Sequence, residues 1–314
     1  MQNAPALITG AGGQDGFYLS DYLISRGYTV YGLDRPESLH RLENIEKSHR
    51  ISVSLFDPDA VQKFISDTRP SEIYHLAAHS FVNTTASEER SVLRNNLEAT
   101  HNLISVCRDT IPDSRFCFAC SAEIFGTVDH SPQSEDSPIR PSNVYGVSKA
   151  ASHHLIGVYR QQGYFATSAI LFNHESARRG PQFVTQKIIQ TAVAIKRGGA
   201  NELKLGSMDA VRDWGYAPDY VKAMTLMLGA DRPADYVIAT GKGRTVQEFA
   251  ELVFKKLDLD LNKFLVIDPA YVRPPEPYPR IGDSSRIRRE LGWEPEHSFE
   301  YMVDEMLQRA LKEG

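Results

Sequence analysis

The feature that most restricts this chain is a glycine turn near its start. A short apolar run, Ala6-Leu7-Ile8-Thr9, ends at Gly10, and glycines recur at Gly13 and Gly16. An amphipathic stretch follows from Phe17 to Arg26, with Leu19, Tyr22 and Leu23 on one face and Gly27 ending it. A strand feeding a helix through Gly10-x-x-Gly13-x-x-Gly16 lets the backbone turn tightly and come close to a pyrophosphate. The helix N-terminus then faces that anion with free N–H groups. The turn, with Gln14 and Asp15 inside it, predicts a dinucleotide site.

The rest of the chain keeps the same rhythm. Residues 29–33, 51–55, 72–77, 116–120 and 166–171 read as strands. Helical patterns at 61–68, 92–108 and from Tyr145 to Gln161 lie among them. Strands alternating with helices call for a parallel sheet covered on both faces, with right-handed crossovers. After Leu171 the texture changes: Asn173 to Gln182 is polar and rich in Arg and Gly, and 183–196 is helical. Residues 236–239 read as one more strand of the sheet, 246–256 as a helix returning to it, and 299–311 as a terminal helix. The expected fold is α/β: a Rossmann-type doubly wound parallel sheet with a smaller discontinuous α/β substrate domain. Residues 1–172 and about 228–258 would form the NAD(P)-binding domain, and 173–227 with 259–314 the smaller one. Substrate belongs in their cleft, beyond the carboxyl ends of the strands.

The second strand ends at Asp34-Arg35. Asp34 suits the ribose hydroxyls of NAD, whereas Arg35 suits the 2′-phosphate of NADP, so the two neighbours point in opposite directions.

Charge and cysteine usage limit the partners. The chain has 35 Lys and Arg against 40 Asp and Glu, a net charge of −5, with no cationic cluster; this argues against nucleic acid. No uninterrupted apolar run approaches the roughly 20 residues of a membrane helix. With the first strand so near the start, no signal peptide is expected. Cys117 and Cys120 form a C-x-x-C within the apolar run 115–121, which reads as a buried strand whose residues three apart face opposite ways. With Cys107 they show no disulfide framework, so a cytoplasmic location is expected.

Tyr145 and Lys149 stand four residues apart, on one helix face. A phenol with its ordinary pKa near ~10 is a poor base at neutral pH. A nearby ammonium and a cationic nicotinamide are expected to lower it, making Tyr145 the acceptor of a sugar-hydroxyl proton. Ser121-Ala122-Glu123 follows the fifth strand. Ser121 can bond the same hydroxyl. Glu123 supplies a carboxylate that a simple oxidation does not need, useful for removing a proton from the carbon beside a new ketone. His153-His154 lacks a third ligand at metal spacing and reads as a helix-surface pair, so no metal is expected.

These residues resemble the extended short-chain dehydrogenase/reductase family, and within it the GDP-mannose 4,6-dehydratases. The longer matching pieces are Gly13-Gln-Asp-Gly16, Leu171-Phe-Asn-His-Glu-Ser176, Arg178-Arg-Gly180, Asp209-Ala-Val-Arg-Asp-Trp-Gly215 and Arg273-Pro-Pro-Glu276. The resemblance implies Ser121, Glu123, Tyr145 and Lys149 as the catalytic group. It implies cofactor contacts at Asp57, Leu76, Ala77 and Ala78 beside the glycine turn. Asn173, Lys187, Arg212, Arg273 and Glu276 would hold a GDP-linked sugar. NADP and a homodimer or homotetramer are implied as well, with the Arg178-Arg179 loop reaching a neighbouring subunit. Two departures stand out: Ser121-Ala122-Glu123 where the family has Thr-Ser-Glu, and Asp34 where it has an apolar residue. The segment 142–149 and the compact length lean toward the related GDP-4-keto-6-deoxymannose reductases. That reductase, or a dehydratase for another nucleotide sugar, is the alternative.

Overall fold

The computed structural model describes residues 4–80, 85–272 and 277–313. Its first half alternates as the pattern predicts: β1 (Pro5–Thr9), α1 (Gln14–Ser25), β2 (Thr29–Leu33), β3 (Arg50–Ile51), α2 (Pro58–Thr68), β4 (Glu72–His75), α3 (Ala86–Leu93), α4 (Ala99–Thr110), β5 (Arg115–Ser121), α5 (Val144–Gln161) and β6 (Phe165–Leu171). The second half holds β7 (Asn173–Glu175), α6 (Val184–Lys196), β8 (Leu203–Leu205), β9 (Val211–Tyr216), α7 (Ala217–Gly229), β10 (Tyr236–Ile238), β11 (Gly243–Thr245), α8 (Val246–Lys256), β12 (Leu265–Ile267), α9 (Ser285–Leu291) and α10 (Phe299–Glu313).

Seven strands form one parallel sheet in the order β10-β6-β5-β4-β1-β2-β3. Connections run outward in opposite directions from β1 and β4, so the loops after these two strands part and leave a crevice. The residues after β4 stay attached there, with Leu76 N donating to Thr9 O at 3.1 Å. β3 is shorter than the expected 51–55, because β2 offers it only Gly32 and Leu33 at the sheet edge. The expected helix at 92–108 is longer: α3 and α4 join through a π-helical turn at Arg94–Glu98.

Alternate side chains of the strands fill two separate cores. Leu7, Ile73, Phe116 and Cys120 pack with α4 and α5 residues such as Leu103 and Ile156. Ala6, Ile8, Tyr74 and Cys117 pack under α1 and α7, against Leu19, Met224 and Met227. Cys117 and Cys120 thus face opposite sides of β5, as the strand reading required, and all three cysteines are free and buried.

A third core corrects one expectation. Phe249, Val253 and Phe254 of α8 do not return to the large sheet; they pack with Ile188 and Ile189 of α6 and Met302 and Met306 of α10. The apolar face of α8 is real, but a helix face shows only that something covers it. Each fully buried Phe there contributes roughly 2 kcal/mol by leaving water. Residues β7, β9 and β11 form a small sheet beside this core, and β8 pairs with β12. Among the described residues no helix is long and apolar enough to cross a membrane.

Candidate active site

The glycine turn lies in the crevice. Gly10 has φ of 70°, and a Cβ added there would come within 2.8 Å of the Ala77 backbone. A Cβ on Gly16 would lie 2.5 Å from Ala11 Cα. Only glycine lets the turn, the end of β4 and α1 approach this closely. Gly13 is the N-cap of α1 and brings no capping side chain, so the helix start can present N–H groups to an anion. The residues present therefore fit a dinucleotide pyrophosphate.

Gln14 and Asp15 join α1 to β7. His174 Nε2 lies 3.0 Å from Asp15 Oδ2, Gln14 Nε2 donates to His174 O at 3.1 Å, and Ser176 Oγ donates to Gln14 Oε1 at 2.8 Å. Burial opposes ionisation of Asp15, but the charge and hydrogen bond of His174 prevail and hold its carboxyl below the ordinary value. Burial likewise opposes the His174 cation, and Asp15 overrides it and raises the imidazole.

Asp34 closes the far side of the turn. Its Oδ2 accepts from Gly12 N at 2.7 Å and its Oδ1 from Arg35 N at 2.8 Å. The Arg35 side chain turns instead to Glu37, at 3.3 Å, with both exposed. Asp57 caps α2 by accepting from Ala60 N at 3.0 Å. Ala77 N lies 3.3 Å from Thr9 Oγ1, which leaves Leu76, Ala77 and Ala78 at the mouth of the crevice.

The residues expected to be catalytic gather where β5 ends and α5 begins. Asn143 caps α5, accepting from Gly146 N at 2.7 Å. Tyr145 and Lys149 follow on the inward face, 8% and 3% exposed. Lys149 Nζ donates to Ala119 O at 2.7 Å and lies 4.7 Å over the Phe118 ring and 5.9 Å from the centre of the Tyr145 ring. Its neighbour Ser148 is held by Asn96 Nδ2 at 2.9 Å, from the π turn. Burial draws the Lys149 ammonium down to about 8, so it stays largely charged at neutral pH. In the protein alone, burial pushes the Tyr145 phenol up, and its hydrogen bond with Ser121 only reduces the rise; the expected lowering rests in part on the positive charge of a bound nicotinamide. Desolvation of the phenolate is the largest cause, and the Lys149 ammonium beside the ring spends a proton on a carbonyl.

Glu123 stands just past Ser121, whose Oγ accepts from Glu123 N at 3.2 Å. Asn143 Nδ2 donates to its Oε2 at 2.8 Å, and Arg280 forms an ion pair with its Oε1. Ser121 at the end of β5, Glu123 in the 3-10 turn just after it, and Tyr145 and Lys149 on α5 are thus brought together. Asn143 and Arg280 are additions that sequence reasoning missed. Asn143 carried a signal, an N-cap residue two before Tyr145. Arg280 carried none.

Residues 7–306 match the family described as GDP-mannose 4,6 dehydratase. The chain belongs to the GDP-mannose 4,6-dehydratase family. It is 40% identical to GDP-mannose 4,6 dehydratase 2 of Arabidopsis thaliana over 98% of this chain and 88% of that one. It is 34% identical to a GDP-mannose 4,6-dehydratase of Vibrio cholerae over 100% and 95%. Among solved structures, RMD from Pseudomonas aeruginosa complexed with NADPH matches with a TM-score of 0.84 and 23% identity over 99% of both chains. The dTDP-glucose 4,6-dehydratase of Bacillus anthracis in complex with NAD matches with a TM-score of 0.85 and 19% identity, over 98% of this chain and 96% of that one. These two likenesses show the fold.

The substrate residues implied by the GDP-mannose 4,6-dehydratase resemblance are spread along the smaller sheet and α6. Asn173 opens β7 and pairs with Trp214 of β9. Arg212 lies on β9, its Nη1 donating to Val211 O at 2.7 Å. Lys187 on α6 stands 4.0 Å over the ring of Tyr271. Arg273 and Glu276 lie outside the described residues. The Arg178-Arg179 loop is engaged within the chain: Arg178 covers the Phe17 ring at 3.3 Å, and Arg179 meets Glu175 at 3.0 Å. His153 is half-buried rather than on the surface, because it falls one turn after Lys149 on the inward side of α5. Asp219, Glu296 and His297 come within metal-ligand reach of one another, but Asp219 already accepts from the backbone N–H groups of both others and from His297 Nδ1.

Proposed function

We propose that this protein is a sugar-nucleotide 4,6-dehydratase that converts GDP-mannose, or a close GDP-sugar, to the 4-keto-6-deoxy sugar nucleotide with loss of water. One observation carries the reading: the Glu123 carboxylate is held beside Ser121 and against the start of the helix that bears Tyr145 and Lys149. A bound nicotinamide dinucleotide would supply the hydride acceptor and donor and leave the cycle unchanged. Tyr145 takes the proton of the C4 hydroxyl, with Ser121 bonded to the same oxygen. The Lys149 charge stabilises the phenolate that forms. The 4-ketone acidifies C5, and Glu123 removes that proton and passes it to the departing C6 hydroxyl, which leaves as water; return of the hydride to C6 and of a proton to C5 then gives the 4-keto-6-deoxy product. The test is to incubate the protein with GDP-mannose and follow product mass without added reductant. Loss of one water with no net cofactor change is expected. Intact GDP-mannose, with reduced cofactor consumed by a 4-keto substrate instead, would give the reductase reading its place.

For the cofactor, the Asp34 geometry supports NAD over NADP. Its carboxylate is fixed beside Gly12, where it can accept from ribose hydroxyls and repels a 2′-phosphate. Arg35 is turned to Glu37. In binding titrations followed by thermal shift, the wild type should favour NAD at least tenfold, a difference of about 1.4 kcal/mol. Asp34→Asn keeps an acceptor for Gly12 N–H, removes the charge and should narrow that preference. Tighter binding of NADP by the wild type would refute the assignment.

A further inference from the structure

A strip of chain from Pro279 to Asp283 is fixed on both sides. Gln133, itself buried, donates from its backbone N to Ile281 O at 2.8 Å and accepts from Asp283 N at 2.7 Å; its Nε2 reaches Pro279 O at 3.3 Å. On the other side Asp213 N donates to Arg280 O at 3.2 Å. The fully buried Asp213 carboxylate accepts from Gly282 N at 3.2 Å, and from Thr240 N and Gly241 N, both at 2.9 Å. The strip is therefore pinned by two isolated β-bridges, Arg280 to Arg212 of β9 and Gly282 to Gln133.

From this fixed backbone the Arg280 side chain reaches Glu123, 157 residues earlier, and pairs with Oε1. The pair is mostly enclosed, with side-chain exposures of 14% for Arg280 and 21% for Glu123. The other oxygen, Oε2, accepts from Asn143, which is held in turn by Gly146 N. A terminal carboxylate rotates freely about its last bond. Two donors on separate elements, one per oxygen, stop that rotation and define one orientation.

Building on the function proposed above, we propose that Arg280 is a positioning residue: it fixes the orientation in which Glu123 meets the C5 hydrogen, and takes no part in the hydride step at C4. The experiment compares wild type, Arg280→Met and Arg280→Lys. Three quantities are read: melting temperature, reduced-nicotinamide absorbance on mixing the cofactor-loaded protein with GDP-mannose, and water loss by product mass. Arg280→Met should slow water loss about 100-fold, the scale of a misplaced catalytic group, while hydride removal from C4 stays within about threefold. Reduced cofactor then accumulates. Arg280→Lys should recover part of the loss, since it restores the charge without the planar fork. Added to Glu123→Gln, Arg280→Met should cost nothing further.

Equal loss of both steps in Arg280→Met, together with a lowered melting temperature, would make Arg280 a purely structural residue. Water loss that is unchanged or faster would show that the pair restrains Glu123 rather than aims it. A wild type that leaves GDP-mannose intact removes the function and this role together, and that control is read before any variant.

Discussion

Tyr145→Phe should cut turnover by roughly 10²–10⁴-fold, the range of a lost acid–base group, while the protein stays folded. The ring stays in place and only the hydroxyl goes. Its partner is Ser121 at the end of β5, so the stability change should be about 1 kcal/mol or less, a shift of about 2 °C for a chain of this size. The buried phenol is harder to ionise than a free one, so Tyr145 is no standing phenolate. It has to lose its proton only as the substrate and the cofactor's charge arrive, with Lys149 below the ring. Steady-state product formation and scanning calorimetry on the same preparation check both halves. A Phe variant within a few-fold of wild type would remove Tyr145 from the chemistry.

Glu123→Gln should be as severe for dehydration, again about 10²–10⁴-fold, but for a different reason. The amide matches the carboxylate in shape and cannot take the C5 proton. It also sets an NH2 against Arg280 or Asn143, both of which are donors toward this side chain. Since neither Tyr145 nor Lys149 depends on the Glu123 carboxylate for its own contacts, oxidation at C4 should survive. Reduced nicotinamide would then build up on addition of GDP-mannose, with little water lost, and cofactor affinity should match wild type. Water loss at the normal rate would mean that another group is the base.

What could be read from the chain alone was whatever is written locally. Gly10, Gly13 and Gly16 follow a strand and open a helix, so their purpose shows in seven residues. Tyr145 and Lys149 announce themselves by helical spacing. Strand alternation likewise placed Cys117 and Cys120 on opposite faces. Features that depend on contacts across the fold were hidden. Arg280 is an ordinary cation until the strip carrying it is bound to Gln133 and Asp213. The apolar face of α8 gave no hint of which layer it covers. Asp15 and Gln14 read as part of a phosphate turn, yet their side chains tie α1 to β7. Spacing reports an ammonium near the Tyr145 phenol but not the depth at which the ring is buried, and in the protein alone burial sets the direction.

Cys117 and Cys120 stand three residues apart on one strand, yet their thiols lie in different layers. Burial pushes Cys120 up to about 12 and Cys117 higher, so neither sulfur is reactive while its layer is closed. Alkylation at Cys117 thus waits on the lifting of α1 and α7, and at Cys120 on that of α4 and α5. Peptide-resolved labelling rates should time the breathing of each side of the sheet separately, with reporters the chain already carries.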